Sequence, residues 1–305
     1  MDLKVNMNPR VMFWRALVRV QDALGVEPSL EKLSSVIFRA RFGRPLDLDN
    51  PRDLNEKINW LKFRSDTSMW PMLADKYAVR EWVAEKGLGN ILTPLLGVWD
   101  KAEDISFDGL PDSFVLKTTN GSGANVIVRD KASADLPAIR RKFAKSLKKH
   151  FGLREGEPHY LKIRSRVIAE PLLDDRNTFS TSIVDYKVWC LGGKPEFTLA
   201  CYNRPSPLVF EAYDNDWKFI PEACVASGIY HTGSGNVPRP PHFEEMIEAA
   251  SILCQGFPQV RVDFYDTPDG IYFGEMTLCA AGGLQPYFST EWLETTGNKV
   301  DISSL

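Results

Sequence analysis

The clearest alternation of polar and apolar residues lies near the carboxyl end of the chain. The segments Arg261–Phe264 and Gly274–Thr277 both alternate, and the stretch Asp266–Gly270 between them is rich in turn-forming residues. Alternating runs separated by Asp, Pro and Gly predict a β-hairpin. Val262 and Phe264 would form its buried face, and this burial fixes the register because a slip of one residue turns every side chain over.

The opposite face of this hairpin would bring two carboxylates together. Like charges directly opposite each other destabilise paired strands unless a positive group compensates them. Magnesium would provide that charge, since it takes one or two carboxylates and fills its remaining positions with water and phosphate oxygens. The alternative is that Arg261 neutralises both acids. The predicted cross-strand pairs are Asp263 with Glu275, Arg261 with Thr277, and Tyr265 with Phe273.

Three helices are predicted in the amino-terminal part of the chain. Val11–Leu24 has helical apolar spacing and several arginines, so it would pack on its own domain or make a peripheral contact with an anionic membrane surface. A second helix begins at Asp53, because Asp53 and Glu56 have capping-box spacing. A third covers Met72–Lys86 and ends at Gly87.

The middle of the chain changes to short apolar runs, which predict strands. Leu136–His150 is predicted to be a basic helix, whose charges would face water or contact an anionic polymer. Gly228–Pro241 is rich in glycine and proline and is predicted to be a loop that gates the substrate. His242–Cys254 has the apolar spacing of a helix. Strands are predicted at Phe114–Lys117 and Val126–Val128, and in a second lobe at Arg166–Ala169, Asp185–Leu191 and Glu196–Tyr202.

The composition is that of a globular protein and excludes several classes of function. With 305 residues, 44% of them hydrophobic, the chain buries a large core, and a net charge of -3 argues against general affinity for nucleic acid. The five cysteines lack CxxC spacing and the four histidines lack zinc-ligand spacing. The sequence has neither a run of about 18 apolar residues nor a signal-peptide pattern, so we expect a cytoplasmic protein without an integral membrane segment.

A glycine-rich loop, residues 118–124, follows the strand that contains Lys117. It lies between two predicted strands, so it is neither a Walker A loop nor a Rossmann loop, in which a helix follows. Glycines still allow backbone amides to approach an anion closely and to form a concave phosphate nest. Gly121, Ser122 and Gly123 would form this nest, and Lys117 would place a charge on the same phosphates. The alternative is a hairpin turn without a ligand.

Two further sets of residues have the chemistry of a nucleotide site. Glu170 is followed by the stretch Pro171–Leu173, which would offer backbone groups and apolar contact to a purine. Asp185 opens the next strand, and its carboxylate suits ribose hydroxyls. Lys187 shares a strand face with Asp185, and it would either reach a terminal phosphate or pair with a neighbouring carboxylate.

The order of these features resembles the ATP-grasp superfamily between Asp75 and Phe288. Within this superfamily the chain resembles the TupA-like branch, which is associated with teichuronopeptide and other bacterial polysaccharide biosynthesis. The superfamily features are Ala74–Tyr77 with Gly87, Leu88 and Pro94, Phe114–Lys117 with Gly121–Gly123, Ile168–Glu170, Asp185–Lys187, and Arg261–Phe264 with Glu275. The TupA-like features are Leu54–Ile58, Ala74–Arg80, Leu95–Trp99 and Gly274–Thr277.

This resemblance implies an α+β ATP-grasp fold, in which two lobes with antiparallel sheets hold a nucleotide between them. The first 70 residues would form a helical segment in place of the usual α/β domain. The implied domains are residues 1–70, the helical segment; residues 71–160, the lobe with the glycine-rich loop; and residues 161–305, the lobe with the metal and substrate site.

The resemblance also implies the cofactors, ATP and Mg²⁺, and the residues that hold them. The ATP-binding residues would be Lys76, Lys117, Gly121, Ser122, Gly123, Glu170, Pro171, Leu172, Leu173, Asp185 and Lys187. The Mg²⁺ ligands would be Asp263, Glu275 and Thr277. Thr277 stands where the peptide ligases of the superfamily have Asn, so the number of metal ions is left open.

The implied activity is that of an ATP-dependent carboxylate–amine ligase with an acylphosphate intermediate. Arg261 and Lys187 would be the catalytic residues, and Arg261 would offset charge on the acyl oxygens. The partners would be a small-molecule or glycan carboxylate, such as a uronic acid, and an amine, in the synthesis of a bacterial surface polysaccharide. Two alternatives stay open: a kinase for a sugar or small-molecule hydroxyl with His231 as its base, and a noncatalytic nucleotide-binding module that partners glycosyltransferases.

Overall fold

In the part of the chain that the computed structural model describes, residues 3–205, 207–303 and 305, six α-helices precede the first strand, and three more lie between or after the strands. The strands are β1 (Gly97–Trp99), β2 (Phe114–Thr118), β3 (Asn125–Val128), β4 (Val167–Pro171), β5 (Asp185–Leu191), β6 (Lys194–Tyr202), β7 (Leu208–Tyr213), β8 (Tyr230–Thr232), β9 (Gln259–Thr267) and β10 (Gly270–Thr277). The α-helices are α1 (Leu3–Asn6), α2 (Pro9–Ala23), α3 (Leu30–Phe42), α4 (Leu54–Arg64), α5 (Trp70–Ala74), α6 (Val79–Val83), α7 (Leu136–Ser146), α8 (Phe243–Leu253) and α9 (Thr290–Gly297).

The strands form two sheets, in which neighbours are antiparallel except for the parallel pair β7 and β8. The four-stranded sheet has the order β1-β4-β2-β3, and the six-stranded sheet has the order β10-β9-β5-β6-β7-β8. The chain leaves the first sheet at Pro171 and enters the second at Asp185. Residues 172–184 therefore connect the two sheets.

The hairpin of β9 and β10 has the predicted register where the two acids lie. Asp263 pairs with Glu275, and Arg261 pairs with Thr277, so both predictions are confirmed. Val262, on the opposite face of β9, is fully buried in the core. Burial of this face holds the two carboxylates on the same side of the sheet, as alternation along a strand requires.

Past the acid pair, a bulge shifts the register of the hairpin. Tyr265 pairs with Tyr272, and Phe273 pairs with Phe264, so the predicted pair of Tyr265 with Phe273 is wrong. The shift lies at Gly274, which has no partner residue in the ladder. An extra residue on one strand bends the pair locally, and glycine is suited to it because an added Cβ would lie 3.0 Å from the carbonyl oxygen of Asp263.

Helix α4 begins where the sequence predicts, but the prediction of one continuous helix over Met72–Lys86 is wrong. Asp53 caps α4, because its side chain accepts a hydrogen bond from the amide of Glu56 at 2.8 Å. The other segment divides into α5 and α6 around Asp75. The Asp75 carboxylate accepts from the amide of Tyr77 at 2.8 Å, a local bond that competes with helical bonding.

Strand β5 has the predicted bounds, whereas the predicted strand at Arg166–Ala169 lies in a different sheet from the one expected. This strand, β4, pairs with β1 and β2 and not with the second lobe, so that assignment is wrong. An apolar run identifies a buried strand, but its partner depends on distant parts of the chain. Within the predicted gate Gly228–Pro241, the structure also contains the short strand β8.

Three apolar clusters support the sheets and the amino-terminal helices. The largest packs the six-stranded sheet with α4 and α8 and includes Trp189 and Phe197, whose rings stack. A second joins α7 to the four-stranded sheet around Phe114 and Phe143, and a third joins α2 and α3. Among the described residues, no helix has both the length and the apolar character needed to cross a membrane.

Candidate functional site

The acid pair of the hairpin converges on one guanidinium group. Arg261 donates through Nε to Asp263 Oδ1 at 2.6 Å and through Nη2 to Asp263 Oδ2 at 2.8 Å. The same Nη2 donates to Glu275 Oε1 at 3.2 Å and to Thr277 Oγ1 at 3.0 Å. Three oxygens from the predicted metal ligands therefore surround a single cationic atom.

Strand β5 extends this network on the same face of the six-stranded sheet. Lys187 pairs with Asp263 across the strands, and its ammonium group donates to that carboxylate and, at 2.7 Å, to Asp185 Oδ2. Arg204 donates to the same oxygen of Asp185 at 2.7 Å. The other oxygen, Asp185 Oδ1, is buried and has no hydrogen-bond partner among the described residues. Asp185 therefore keeps one free acceptor next to two cations.

Lys76 links the glycine-rich loop to the six-stranded sheet. Its ammonium group lies 3.0 Å from Glu275 Oε2, on the six-stranded sheet, and donates to the carbonyl oxygen of Gly121 at 2.8 Å. Gly121 belongs to the glycine-rich loop that follows β2. One side chain from the segment between α5 and α6 therefore holds the glycine-rich loop over the acid pair.

The four-stranded sheet contributes a second ion-pair cluster. Lys117 on β2 donates to Glu170 Oε2 on β4 at 2.6 Å, and Arg80 lies 3.5 Å from the other oxygen of Glu170. Pro171, Leu172 and Leu173 follow directly. The predicted hinge therefore begins the connection between the two sheets, and its three side chains are partly exposed.

Positive charge exceeds negative charge in this site. Four carboxylates pair with six cationic side chains: Asp185, Glu170, Asp263 and Glu275 with Lys76, Arg80, Lys117, Lys187, Arg204 and Arg261. Burial raises the pKa of Glu275, but the charges of Lys76 and Arg261 outweigh burial and hold that pKa well below its usual range. Glu275 is therefore ionised at neutral pH, and the excess of cationic side chains in the site favours an anionic ligand.

The glycine-rich loop has the free backbone donors of an anion site. Among the described residues, no acceptor takes a hydrogen bond from the amides of Gly121, Ser122 and Gly123. Gly121 packs against Phe151 so closely that an added Cβ would lie 2.6 Å from its ring. Gly123 has a φ of 79°, a left-handed conformation that glycine adopts without strain. A larger residue would therefore clash with Phe151 at position 121 and would strain the backbone at position 123.

Arg80 and Arg204 are site residues that the sequence alone did not reveal. Arg80 follows the predicted Ala74–Tyr77 segment by a few residues, so its helical spacing from Lys76 was an available signal. Arg204 lies in a loop, and only its contact with Asp185 identifies it. His231, the candidate base of a kinase, lies on β8, which is at the opposite edge of the six-stranded sheet from Glu275. No cluster of three or more His, Cys, Asp or Glu side chains suited to a metal ion occurs within the described ranges.

The sequence profile described as TupA-like ATPgrasp matches residues 56–301. The chain belongs to the TupA-like ATP-grasp family. This membership confirms the resemblance found in the sequence and the α+β ATP-grasp fold that it implied. No curated protein matches this TupA-like chain.

Solved structures similar to this TupA-like protein include several ligases. One is a D-alanine–D-alanine ligase from Bacillus anthracis complexed with ATP, at 14% identity over 93% of this chain and 74% of that chain, with a TM-score of 0.41. D-cycloserine synthetase DcsG has 13% identity over 77% and 73% of the two chains and a TM-score of 0.42. The ATP-grasp ligase PsnB, complexed with a phosphomimetic variant of its minimal precursor, Mg and ADP, has 14% identity over 81% and 63%, with a TM-score of 0.39.

Proposed function

We propose that this protein is an ATP-dependent ligase that joins a carboxylate to an amine through an acylphosphate. The observation that carries the proposal is the connected row of charges from Lys76 through Glu275, Arg261 and Asp263 to Lys187. Lys76, at one end of this row, contacts the glycine-rich loop, so the row would offer several cations to one polyanionic ligand. Phosphoryl transfer relies on such preorganised charge more than on covalent chemistry.

ATP would bind between the two sheets. Its phosphates would contact the free amides of the glycine-rich loop and the ammonium groups of Lys76, Lys117 and Lys187. The adenine would lie against the hinge that follows Glu170. The unpaired Oδ1 of Asp185 supports a contact with a ribose hydroxyl, because a buried acceptor without a donor is costly until a ligand supplies one.

The donor set of the hairpin fits Mg²⁺. Asp263, Glu275 and Thr277 offer oxygen atoms, which are the ligands that this ion takes. These oxygens now surround Nη2 of Arg261, so the guanidinium group would have to move for the ion to bind all three. Glu275 is the more exposed of the two acids, with 27% of its side chain accessible. A bound Mg²⁺ would neutralise charge on the transferring phosphoryl group.

The proposed reaction has two steps. A carboxylate oxygen of the first substrate attacks the γ-phosphorus of ATP, the bond to the bridging oxygen breaks, and ADP leaves. The amine of the second substrate then attacks the acyl carbon, phosphate leaves with the original carboxylate oxygen, and the nitrogen loses a proton. Arg261 would stabilise the negative oxygen of the tetrahedral intermediate, a contribution of roughly 3 to 4 kcal/mol for one well-placed donor.

We further propose that the carboxylate belongs to a uronic acid or a similar acidic unit of a bacterial surface polysaccharide, and that the amine belongs to an amino acid or a related compound. The support is the TupA-like family membership together with the excess of positive charge, which suits an acidic acceptor as well as ATP. Cellular placement in the cytoplasm, where ATP is available, is part of this proposal.

An isotope experiment tests the reaction. The protein is incubated with ATP, Mg²⁺ and a pool of uronic acids and amino acids whose carboxylates carry ¹⁸O. A ligase of this kind produces ADP, an amide product and phosphate that contains one ¹⁸O atom. ADP with a phosphorylated substrate and no free phosphate would contradict the ligase and indicate a kinase, whereas absence of turnover with every acceptor would favour a binding module.

A matched pair of variants connects the reaction to the site. Lys117→Met removes the ammonium group that Glu170 orients, so we expect weaker ATP binding and loss of turnover. Lys101→Met changes an exposed lysine outside the site and serves as the control. Equal ATP affinity in the two variants would remove Lys117 from the proposed site.

A further inference from the structure

Helix α2 carries apolar side chains on two opposite sides. Val11 and Val18 are fully buried in the cluster with α3. Phe13 and Val20 lie on the other side, where they are 61% and 54% exposed. At about 3.6 residues per turn, the exposed apolar residues fall within roughly 120° of the helix circumference. We call them the outer stripe: Met12, Phe13, Ala16, Val20, Ala23 and Leu24.

The outer stripe concentrates apolar exposure in one part of the molecule. Of thirteen large apolar side chains that are exposed among the described residues, four belong to the outer stripe, and Met7 and Val26 lie close to it in the sequence. Singly exposed apolar residues are normal on protein surfaces, but a contiguous group marks a surface that binds something.

A basic groove runs beside the outer stripe. It lies between α2, the end of α7 and the glycine-rich loop. Arg19, Lys145, Lys148 and Lys149 line it, and none of these four has a hydrogen bond or ion pair from its side chain to another described residue. Asp22, which lies 2.6 Å from the ring of His150, is the one acidic residue among the described residues that line the groove. The groove therefore presents uncompensated positive charge.

These cations do not serve the candidate ATP site. Thr118 lines the groove, and successive side chains of a strand point to opposite faces, so Lys117 projects to the other side of β2. Helix α7 packs on the face of the sheet that carries Phe114, away from Lys117. Residues 121–123 line the groove as well, so the glycine-rich loop borders both the groove and the proposed ATP site, while the lysines of the groove lie with α7 on the side of the sheet away from Lys117.

Arg19 joins the two features into one surface. Arg19 follows Met12 by seven residues, or about two helical turns, so the two side chains project in nearly the same direction from the axis of α2. Arg19 also lines the basic groove. An apolar stripe flanked by cations is the arrangement with which a helix lies at the boundary between acyl chains and headgroups.

We propose that the outer stripe and the basic groove together dock this protein onto an anionic lipid bilayer. The outer stripe enters the boundary below the headgroups, and Arg19, Lys145, Lys148 and Lys149 contact the acidic headgroups. A soluble acidic polymer would use the cations and leave the stripe exposed to water. A second copy of the chain would cover the stripe, but it would bring two sets of uncompensated cations together.

Vesicle flotation of the full chain tests this proposal. The probes are vesicles of phosphatidylcholine alone and vesicles with equal parts of phosphatidylcholine and phosphatidylglycerol. We expect binding to the mixed vesicles only, and weaker binding as salt is added. The triple variant Lys145→Ala, Lys148→Ala, Lys149→Ala should bind about 100-fold more weakly, since each lysine near an anionic surface contributes about 1 kcal/mol. The double variant Phe13→Ser, Val20→Ser should lose most binding while retaining all four cations.

Two control variants replace side chains that are also exposed but lie outside the outer stripe and the basic groove. Lys32→Ala, Lys101→Ala, Lys218→Ala removes three exposed lysines, and Met69→Ser, Val225→Ser removes two exposed apolar side chains. Both should bind the mixed vesicles like the original chain, and thermal melting verifies that every variant is folded.

Three outcomes would overturn the proposal. The first is absence of binding to mixed vesicles, or equal binding to both vesicle types. The second is a dimer in sedimentation that dissociates with Phe13→Ser, Val20→Ser, which would assign the outer stripe to self-association. The third is binding to soluble polygalacturonate that the lysine triple variant abolishes, without vesicle binding, which would assign the groove to an acidic polymer. None of these measurements depends on ATP turnover, so the ligase proposal stands or fails separately.

Discussion

Asp263 is the most enclosed acid of the site, and its two cationic partners depend on it. Only 3% of its side chain is accessible, and both of its oxygens accept hydrogen bonds from Arg261, while Lys187 adds another. Replacing one member of a buried pair leaves an uncompensated charge, which costs about 3 to 5 kcal/mol. We expect Asp263→Asn to lower the free energy of unfolding by about this amount, as measured by urea denaturation, and to abolish ATP turnover.

Asp100→Asn is the matched control for this substitution. Asp100 pairs with Arg164 at 2.7 Å at the surface, where half of the acid is accessible. Exposed ion pairs contribute about 1 kcal/mol or less, so this variant should remain close to the original stability. A stability of Asp263→Asn equal to that of Asp100→Asn would show that the buried network does not need its central acid.

Glu275 makes the stability of the fold depend on pH in the acidic range. Its pKa is held below the unfolded value of about 4.3, so the native state binds this proton less readily than the unfolded chain. The stabilisation is complete above that value and is lost as the pH falls through the folded pKa. We expect the stability difference between the original chain and Glu275→Gln to shrink as the pH is lowered below about 4. Urea denaturation across this range measures it, and a constant difference would mean that Lys76 and Arg261 do not hold this pKa down.

At the scale of the element, the glycine-rich loop depends on its contact with Phe151. In Gly121→Ala the new Cβ would lie 2.6 Å from the Phe151 ring, which packs against Tyr160 with a centroid distance of 4.9 Å. The loop or the Phe151 side chain must therefore shift. We expect weaker ATP binding by calorimetry, by about tenfold or more, because a displaced loop would not hold its backbone amides in the arrangement proposed for binding phosphate.

Gly89→Ala is the control for Gly121→Ala, because an added Cβ there makes ordinary contacts of 3.6 Å with Ala84 and lies outside the site. It should bind ATP like the original chain. If Gly121→Ala binds ATP as tightly as Gly89→Ala does, the loop position is not important for the nucleotide.

The elements that the sequence predicts well are those whose signals are local. β5 has its predicted bounds, α4 begins at its predicted cap, and the hairpin pairs its acids in the predicted register, because alternation and capping act over a few residues. The predictions that are wrong concern features that depend on contacts between distant parts of the chain or on one particular side chain. β4 pairs with β1 and β2, and the side chain of Asp75 interrupts a helical pattern that otherwise continues.

For the whole molecule, Lys76 is the side chain that ties the glycine-rich loop to the six-stranded sheet. In Lys76→Met, the contacts with Glu275 and with the carbonyl of Gly121 are both lost. We expect faster amide hydrogen exchange in residues 119–124, since local opening requires less free energy when a connection is removed. ATP binding should also weaken.

The control for this variant is Lys86→Met, in which the lysine lies over the Trp82 ring at 5.4 Å and has no contact with the loop. Exchange in residues 119–124 should be unchanged there. If amide hydrogen exchange in residues 119–124 is as slow in Lys76→Met as in Lys86→Met, other contacts hold the loop in place.

The sequence predicts only those parts of the candidate site whose residues lie close together along the chain. Asp263, Glu275 and Thr277 lie within one hairpin, so their geometry follows from alternation. Arg204 approaches Asp185 from a loop that follows β6, and that contact depends on how the whole chain folds. The roles of these residues in binding ATP and metal remain predictions.

The position of Lys76 has a consequence for how a nucleotide would enter. The ammonium group of Lys76 contacts both the glycine-rich loop and Glu275. An incoming triphosphate would compete with both partners for this one positive charge. If the ammonium group of Lys76 turned toward the phosphates, the glycine-rich loop would lose this contact, and Glu275 would keep only Arg261 as a cationic partner among the described residues. Arrival of the nucleotide and release of the loop would then be a single event, in which Oε2 of Glu275 would become free to bind a metal ion.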